Sequence, residues 1–196
     1  MRELKRGDFV QNGAPAPCSG PKSRMPITPD ELFAALDRLG ILHSTVSHPP
    51  LFTVEESQGL RGTIPGGHTK NLFLKDKKSA LFLVTAPEDA AIELKSLHRR
   101  LGATGRFSFG SAEQMLETLG VTPGSVTPFG VINDLDARVT MVLDEALMRH
   151  EVINAHPLTN TMTTSIKRED LVRFLESTGH PPRILPVAGP EAGEDP

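Results

Sequence analysis

A chain of 196 residues with 38% hydrophobic residues can build one core of ordinary size, and a formal charge of -3 excludes a protein that grips long DNA or RNA by charge alone. The single cysteine, Cys18, rules out an internal disulfide and a cysteine-based zinc site and suits a reducing cytoplasm. No segment has the apolar length of a signal-peptide core or a bilayer span, so a soluble protein with no membrane partner is expected.

Residues 1–24 mix Gly, Pro, Ser and charge without a period, and residues 188–196 repeat that character; both read as disordered tails around one domain, 25–187. Thr28-Pro29-Asp30-Glu31 is a capping box with Pro at the first helical position, and Leu32, Phe33, Leu36 and Leu39 then recur on one helical face up to Gly40. A short strand at Thr45-Val46 leads to His48-Pro49-Pro50. Thr53 to Glu56 is a second capping box, for a short helix ending near Gly59. After the loop Gly62-Thr63-Ile64-Pro65-Gly66-Gly67, strands at 70–75 and 80–85 flank a polar turn, which predicts a β-hairpin. Helical spacing returns over 89–101 and over 111–119, the latter opened by a Ser111/Gln114 capping box. Residues 106–109, 129–132, 138–143 and 161–165 read as strands, and 168–177 as the last helix, with Leu171, Phe174 and Leu175 inward. This irregular interleaving predicts an α/β (α+β) fold, a mixed, mostly antiparallel sheet flanked by helices.

Several catalytic signatures are absent: no Gly-x-Ser-x-Gly elbow, no His-Glu-x-x-His helix and no Gly-x-Gly-x-x-Gly turn. Gly62 to Lys70 is not a phosphate loop either, because His68 follows Gly67 where a lysine is needed and a strand comes next. Three constellations remain. Lys70 and Asn71 follow the Gly-rich loop directly, where an ammonium meets phosphate or carbonyl oxygen and an amide orients an amine or hydroxyl. Gly124-Ser125-Val126-Thr127-Pro128 is a stiff loop with free amide donors. His156-Pro157-Leu158 precedes a Thr-rich strand. Taken singly, each is more often an ordinary feature than a functional one: a solvated edge lysine, a surface turn, a satisfied histidine.

Together, His68-Thr69-Lys70-Asn71-Leu72-Phe73-Leu74, Gly124-Ser125-Val126-Thr127-Pro128-Phe129 and His156-Pro157-Leu158 resemble the prolyl-tRNA-synthetase-associated editing family, also called the YbaK or prolyl-tRNA deacylase superfamily, in order and separation across 26–187. The resemblance implies hydrolysis of an amino acid wrongly esterified to tRNA, and is nearest to freestanding enzymes that remove alanine from tRNA(Pro). By motif, the family's essential lysine corresponds to Lys70, its Gly-x-x-x-Pro loop to Gly124 through Pro128 with Ser125 inside it, and its late histidine to His156; Asn71 is expected to face the aminoacyl end. A labile ester asks for orientation and charge stabilisation more than for a strong nucleophile, and for no cofactor. Val54, Leu60, Ile64 and Leu72 are candidate walls of a pocket that admits a methyl and excludes a proline ring. Lys75, Lys77 and Lys78 are candidates for touching the acceptor stem. The expected partner is mischarged tRNA, with prolyl-tRNA synthetase or an elongation factor as further docking candidates. The rival readings are a cysteinyl-tRNA(Pro) deacylase, a noncatalytic module that binds an aminoacyl end or a synthetase, and a metal-dependent hydrolase using His43, His48, His68 or His156.

Overall fold

A computed structural model describes residues 25–50 and 64–189; the proposed leader, the second capping box and most of the acidic tail lie outside them. Helix α1 (Pro29–Arg38) begins as its capping box requires: the Thr28 hydroxyl accepts from the Glu31 N–H at 3.3 Å and the Glu31 carboxylate accepts from the Thr28 N–H at 2.8 Å. Thr28→Ala is expected to lower stability by about 1 kcal/mol, read as a shifted urea midpoint at unchanged slope.

The strands are β1 (His43–Ser47), β2 (Gly67–Lys75), β3 (Leu81–Pro87), β4 (Ser108–Phe109), β5 (Val139–Asp144), β6 (Val152–Ala155), β7 (Met162–Lys167) and β8 (Arg183–Leu185). They form a mixed sheet in the order β1-β7-β6-β2-β3-β5-β8, with β4 on β2. The pairings β1/β7, β6/β7, β2/β3 and β2/β4 are antiparallel, whereas β2/β6, β3/β5 and β5/β8 are parallel. The expected hairpin is present as β2 and β3, joined through Asp76, whose buried carboxylate accepts from the Thr104, Lys78 and Ala80 N–H groups. Those donors hold its pKa below the ordinary carboxylate range, the Thr104 N–H most of all.

Alternation along β2 and β3 sends Phe73 and Leu83 into one core and Leu74, Phe82 and Val84 into another. The first core is covered by α1, by α3 (Ala112–Leu119) and by α4 (Arg168–Ser177) through Leu32, Leu36, Leu119, Leu171, Phe174 and Leu175. The second lies under α2 (Leu94–Leu101), through Leu97 and Leu101.

Two expectations are corrected. The helix expected over 89–101 begins only at Leu94, because the backbone before it is engaged elsewhere: the Ala90 N–H bonds the Pro87 carbonyl and the Ala91 carbonyl takes the Gly189 N–H. The strand expected over 129–132 is instead a 3-10 helix, Pro128–Asn133, capped by the Thr127 hydroxyl and preset by proline at its first position. Strands β6 and β8 were not legible; both are short and lack a clear period of two.

Candidate active site

The sheet parts at the motif that holds Lys70 and Asn71. Along one side β2 pairs with β3 from Thr69 to Lys75. Along the other it meets β6 only at Gly67 and His68, and β4 only at Leu74 and Lys75. Between these contacts two single bonds bridge the opening: the Thr69 hydroxyl donates to the Asn154 carbonyl at 2.9 Å, and the Gly110 N–H donates to the Phe73 carbonyl at 2.9 Å. A strand edge left without a ladder offers backbone donors and acceptors to a ligand or to water. Gly67 begins the strand because it must: a Cβ there would meet the His150 ring at 2.7 Å.

Neighbouring residues on a strand face opposite ways, so Lys70 and Asn71 serve different faces. The partly buried Lys70 ammonium donates to the Ala90 carbonyl in the loop before α2. An ammonium has three donors, so this bond fixes the cation and leaves two for a substrate oxygen. Asn71 stands beside Thr85 of β3, whose hydroxyl donates to the Asn71 amide oxygen at 2.7 Å.

Gly124 adopts φ +88°, a left-handed conformation that glycine takes without penalty. The loop closes immediately, with the Ser125 N–H donating to the Thr122 carbonyl at 3.0 Å. Ser125, Thr127 and Pro128 are all buried, and Pro128 opens the short helix whose Phe129 packs edge-on against Phe174 in the first core. The Gly124–Pro128 loop is therefore a rigid extension of that core.

His156 lies just beyond β6, in a turn tight enough to place Leu158 at φ +65° with its N–H on the His156 carbonyl. Its Nδ1 is 3.0 Å from the Met162 carbonyl oxygen. A carbonyl only accepts, so Nδ1 carries the proton and the neutral ring presents an Nε2 lone pair. Burial pushes the His156 pKa below the ordinary histidine value; the Met162 carbonyl opposes this, and nearby His48 adds to it. The His48 ring is 6.2 Å away; its Nδ1 donates to the Pro49 carbonyl, and its Nε2 accepts from the Thr163 hydroxyl at 3.0 Å. Of these two rings, only His156 keeps a ring nitrogen without a hydrogen-bond partner among the described residues.

Among the described residues, no hydrogen bond or ring contact joins Lys70 or Asn71 to His156 or to the Gly124–Pro128 loop. Ile64 is 5% exposed and lines a cleft of about 720 Å³ between the Ile64–Gly66 turn and strands β1, β6 and β7, which Lys70, Asn71 and His156 do not line. Val54 and Leu60 lie outside the described residues, and Leu72 packs against the second core. Thr85 was missed in the sequence; its only signal was one hydroxyl within the otherwise apolar run Leu81-Phe82-Leu83-Val84-Thr85-Ala86.

No described helix is long and apolar enough to cross a membrane. Among the described residues, no group of three or more His, Cys, Asp or Glu is placed to hold a metal ion.

Comparison with known proteins adds four findings. A zebrafish protein named prolyl-tRNA synthetase associated domain-containing protein 1 is 44% identical over 157 residues, covering 79% of this chain and 85% of its own length. The prolyl-tRNA editing protein ProX of Acetoanaerobium sticklandii is 35% identical over 150 residues, 76% of this chain and 91% of its own. A solved structure whose description proposes a trans-editing enzyme for prolyl tRNA synthetase shares the fold, with a TM-score of 0.65 at 21% identity, covering 83% of this chain and 97% of that one. The profile of the aminoacyl-tRNA editing domain matches residues 48–174, a span that takes in Lys70, Asn71, Gly124 through Pro128 and His156, and the chain belongs to that family.

Proposed function

We propose that this protein is a trans-editing deacylase that hydrolyses the ester of mischarged tRNA(Pro), with alanyl-tRNA(Pro) as its substrate. The observation that carries the reading is the parting of the sheet at Lys70 and Asn71, a Gly-led strand edge whose backbone is open to a ligand, within a chain of the editing family. Lys70, tethered to the Ala90 carbonyl, supplies a fixed positive charge for the phosphate or ribose of the terminal nucleotide. Asn71 and adjacent backbone hold the aminoacyl group.

Water adds to the ester carbonyl carbon, the carbon–oxygen bond to the ribose breaks, and the ribose oxygen takes up a proton, leaving free amino acid and tRNA. His156, neutral with Nε2 open, accepts a hydrogen bond from the attacking water or from the free 2'-hydroxyl. Alanine is chosen over proline by the size of the pocket, the fine sieve of double-sieve editing. The partner surface is the acceptor end of tRNA, with prolyl-tRNA synthetase or an elongation factor as docking partners, and the reaction belongs to the cytoplasm. The contact with the acceptor stem falls to Lys77 and Lys78, exposed on the hairpin turn, and is sensitive to salt.

The test is single-turnover deacylation of alanyl-, cysteinyl- and prolyl-tRNA(Pro) with chelator present. Rapid release of alanine alone is the expected result. Release of cysteine instead moves the protein to the sister specificity, hydrolysis that stops on chelation favours a metal hydrolase, and tight binding without hydrolysis favours a binding module.

The rate should also be flat above neutrality and fall on acidification, with a midpoint below the ordinary histidine pKa of about 6.5. The sign follows from burial, which disfavours the imidazolium, so the lone pair at Nε2 survives to lower pH. His156→Asn is expected to remove that acid limb; an unchanged limb would assign it to another group.

A further inference from the structure

Thr85 is 0% exposed, and its hydroxyl sits in a strand whose other described residues are apolar. A buried hydroxyl must place its proton on an acceptor, and the one recorded for Thr85 is the Asn71 amide oxygen at 2.7 Å. The β2/β3 register sets the two residues directly opposite each other on one face, where cross-strand side chains meet. Were the amide turned over, its NH2 would face Thr85 and the buried Thr85 proton would lose its acceptor, so the contact fixes the orientation as well as the position of the amide. The two Nδ2 hydrogens are then left pointing away from Thr85, without a partner among the described residues.

We infer that Thr85 is a positioning residue for the editing reaction: it locks Asn71 as a hydrogen-bond donor, so that Asn71 takes an acceptor oxygen of the aminoacyl ester and not the substrate's ammonium group. This rests on the deacylase reading, and it deepens that reading by assigning a direction to the Asn71 contact. An ester carbonyl gains negative charge as water adds, so a donor held in place before the reaction stabilises the transition state more than the ground state. A free asparagine would have to surrender amide rotation to do the same.

The experiment compares wild type, Thr85→Val, Thr85→Ser, Asn71→Ala and the Thr85→Val/Asn71→Ala double variant in single-turnover hydrolysis of alanyl-tRNA(Pro). Thr85→Val keeps the shape and removes the hydroxyl; a fall of roughly tenfold in the maximal rate at little-changed half-saturation is expected. Thr85→Ser should restore most of the rate, and in the Asn71→Ala background Thr85→Val should cost almost nothing further. A role in packing alone would give the same loss in both backgrounds, and that result, or a fully active Thr85→Val, overturns the inference.

A second measurement stands apart from turnover. In the NMR spectrum of the amide-labelled protein, the Asn71 side-chain NH2 pair should be rigid in wild type and motionally averaged in Thr85→Val. Identical dynamics in the two would overturn the lock even if the enzyme is active. A rigid pair released by Thr85→Val, in a protein that hydrolyses none of the esters, would support the lock while defeating the deacylase reading.

Discussion

Lys70→Ala is expected to slow single-turnover hydrolysis of alanyl-tRNA(Pro) by about 100-fold or more, while leaving the melting temperature close to that of wild type. The two halves of this expectation come from different parts of the structure. In the fold, the side chain makes one recorded bond, to the Ala90 carbonyl of a loop, and a partly exposed charge–dipole contact of that kind contributes little to stability. In the site, the cation stands on the stretch of β2 between its contacts with β6 and β4, which has no strand neighbour on that side, and is held there before substrate arrives. Losing it removes charge stabilisation that water supplies poorly. Lys70→Arg should recover only part of the rate, because a planar guanidinium spreads the charge and cannot repeat the ammonium's compact geometry. A Lys70→Ala enzyme that cleaves at the wild-type rate would place the reaction elsewhere on the molecule. A protein that loses rate and melting temperature together would make Lys70 a structural tether of the loop before α2.

Much of the fold was legible because local chemistry and tertiary need agree along most of the chain. The capping boxes at Thr28 and Ser111 are realised atom for atom, since each is complete within four residues. The hairpin of β2 and β3 was legible for the same reason, its polar turn lying between two apolar runs. Failures occur where distant partners decide. Phe129 to Ile132 looks like a strand by composition, yet Thr127 and Pro128 before it bend the chain into a 3-10 helix that delivers Phe129 to Phe174. Residues 89–93 have helical spacing, but Lys70, Pro87 and Gly189 claim their backbone groups.

The site divides in the same way. Lys70, Asn71, the Gly124 loop and His156 were visible as motif pieces, whereas their partners were not. Ala90, Thr85 and Met162 contribute a carbonyl, a hydroxyl and another carbonyl, and such groups carry no sequence signature. They nonetheless decide which donor or acceptor each motif residue presents. The face served by Asn71 follows from strand alternation once β2 is known to begin at Gly67, a boundary that the loop's glycines obscure.

The largest stability effect is expected at Asp134, a residue to which the proposed chemistry assigns no role. Its carboxylate is 2% exposed and accepts three bonds: from the Val139 N–H at 2.8 Å, from His180 Nε2 at 3.1 Å and from Arg138 Nε at 3.4 Å. These join the end of the Pro128–Asn133 helix, the start of β5 and the turn after α4, where His180 is itself 2% exposed. Asp134→Ala strips all three donors of their acceptor at once and leaves the buried His180 nitrogen without a counterpart, so a loss of about 3 kcal/mol is expected in urea unfolding. Burial by itself would raise the Asp134 pKa, but the bonds from His180, Val139 and Arg138 outweigh it and hold the carboxyl below its ordinary value. A depressed carboxylate pKa contributes stability that is complete above the unfolded value of about 3.9 and disappears as pH falls through the folded value. The gap between wild type and Asp134→Ala should therefore be widest near neutrality and shrink below about pH 4. A gap that stays constant through that range would make the cost one of lost shape, whereas a gap near zero at pH 7 would mean that desolvating the carboxylate already cancels what its three bonds contribute.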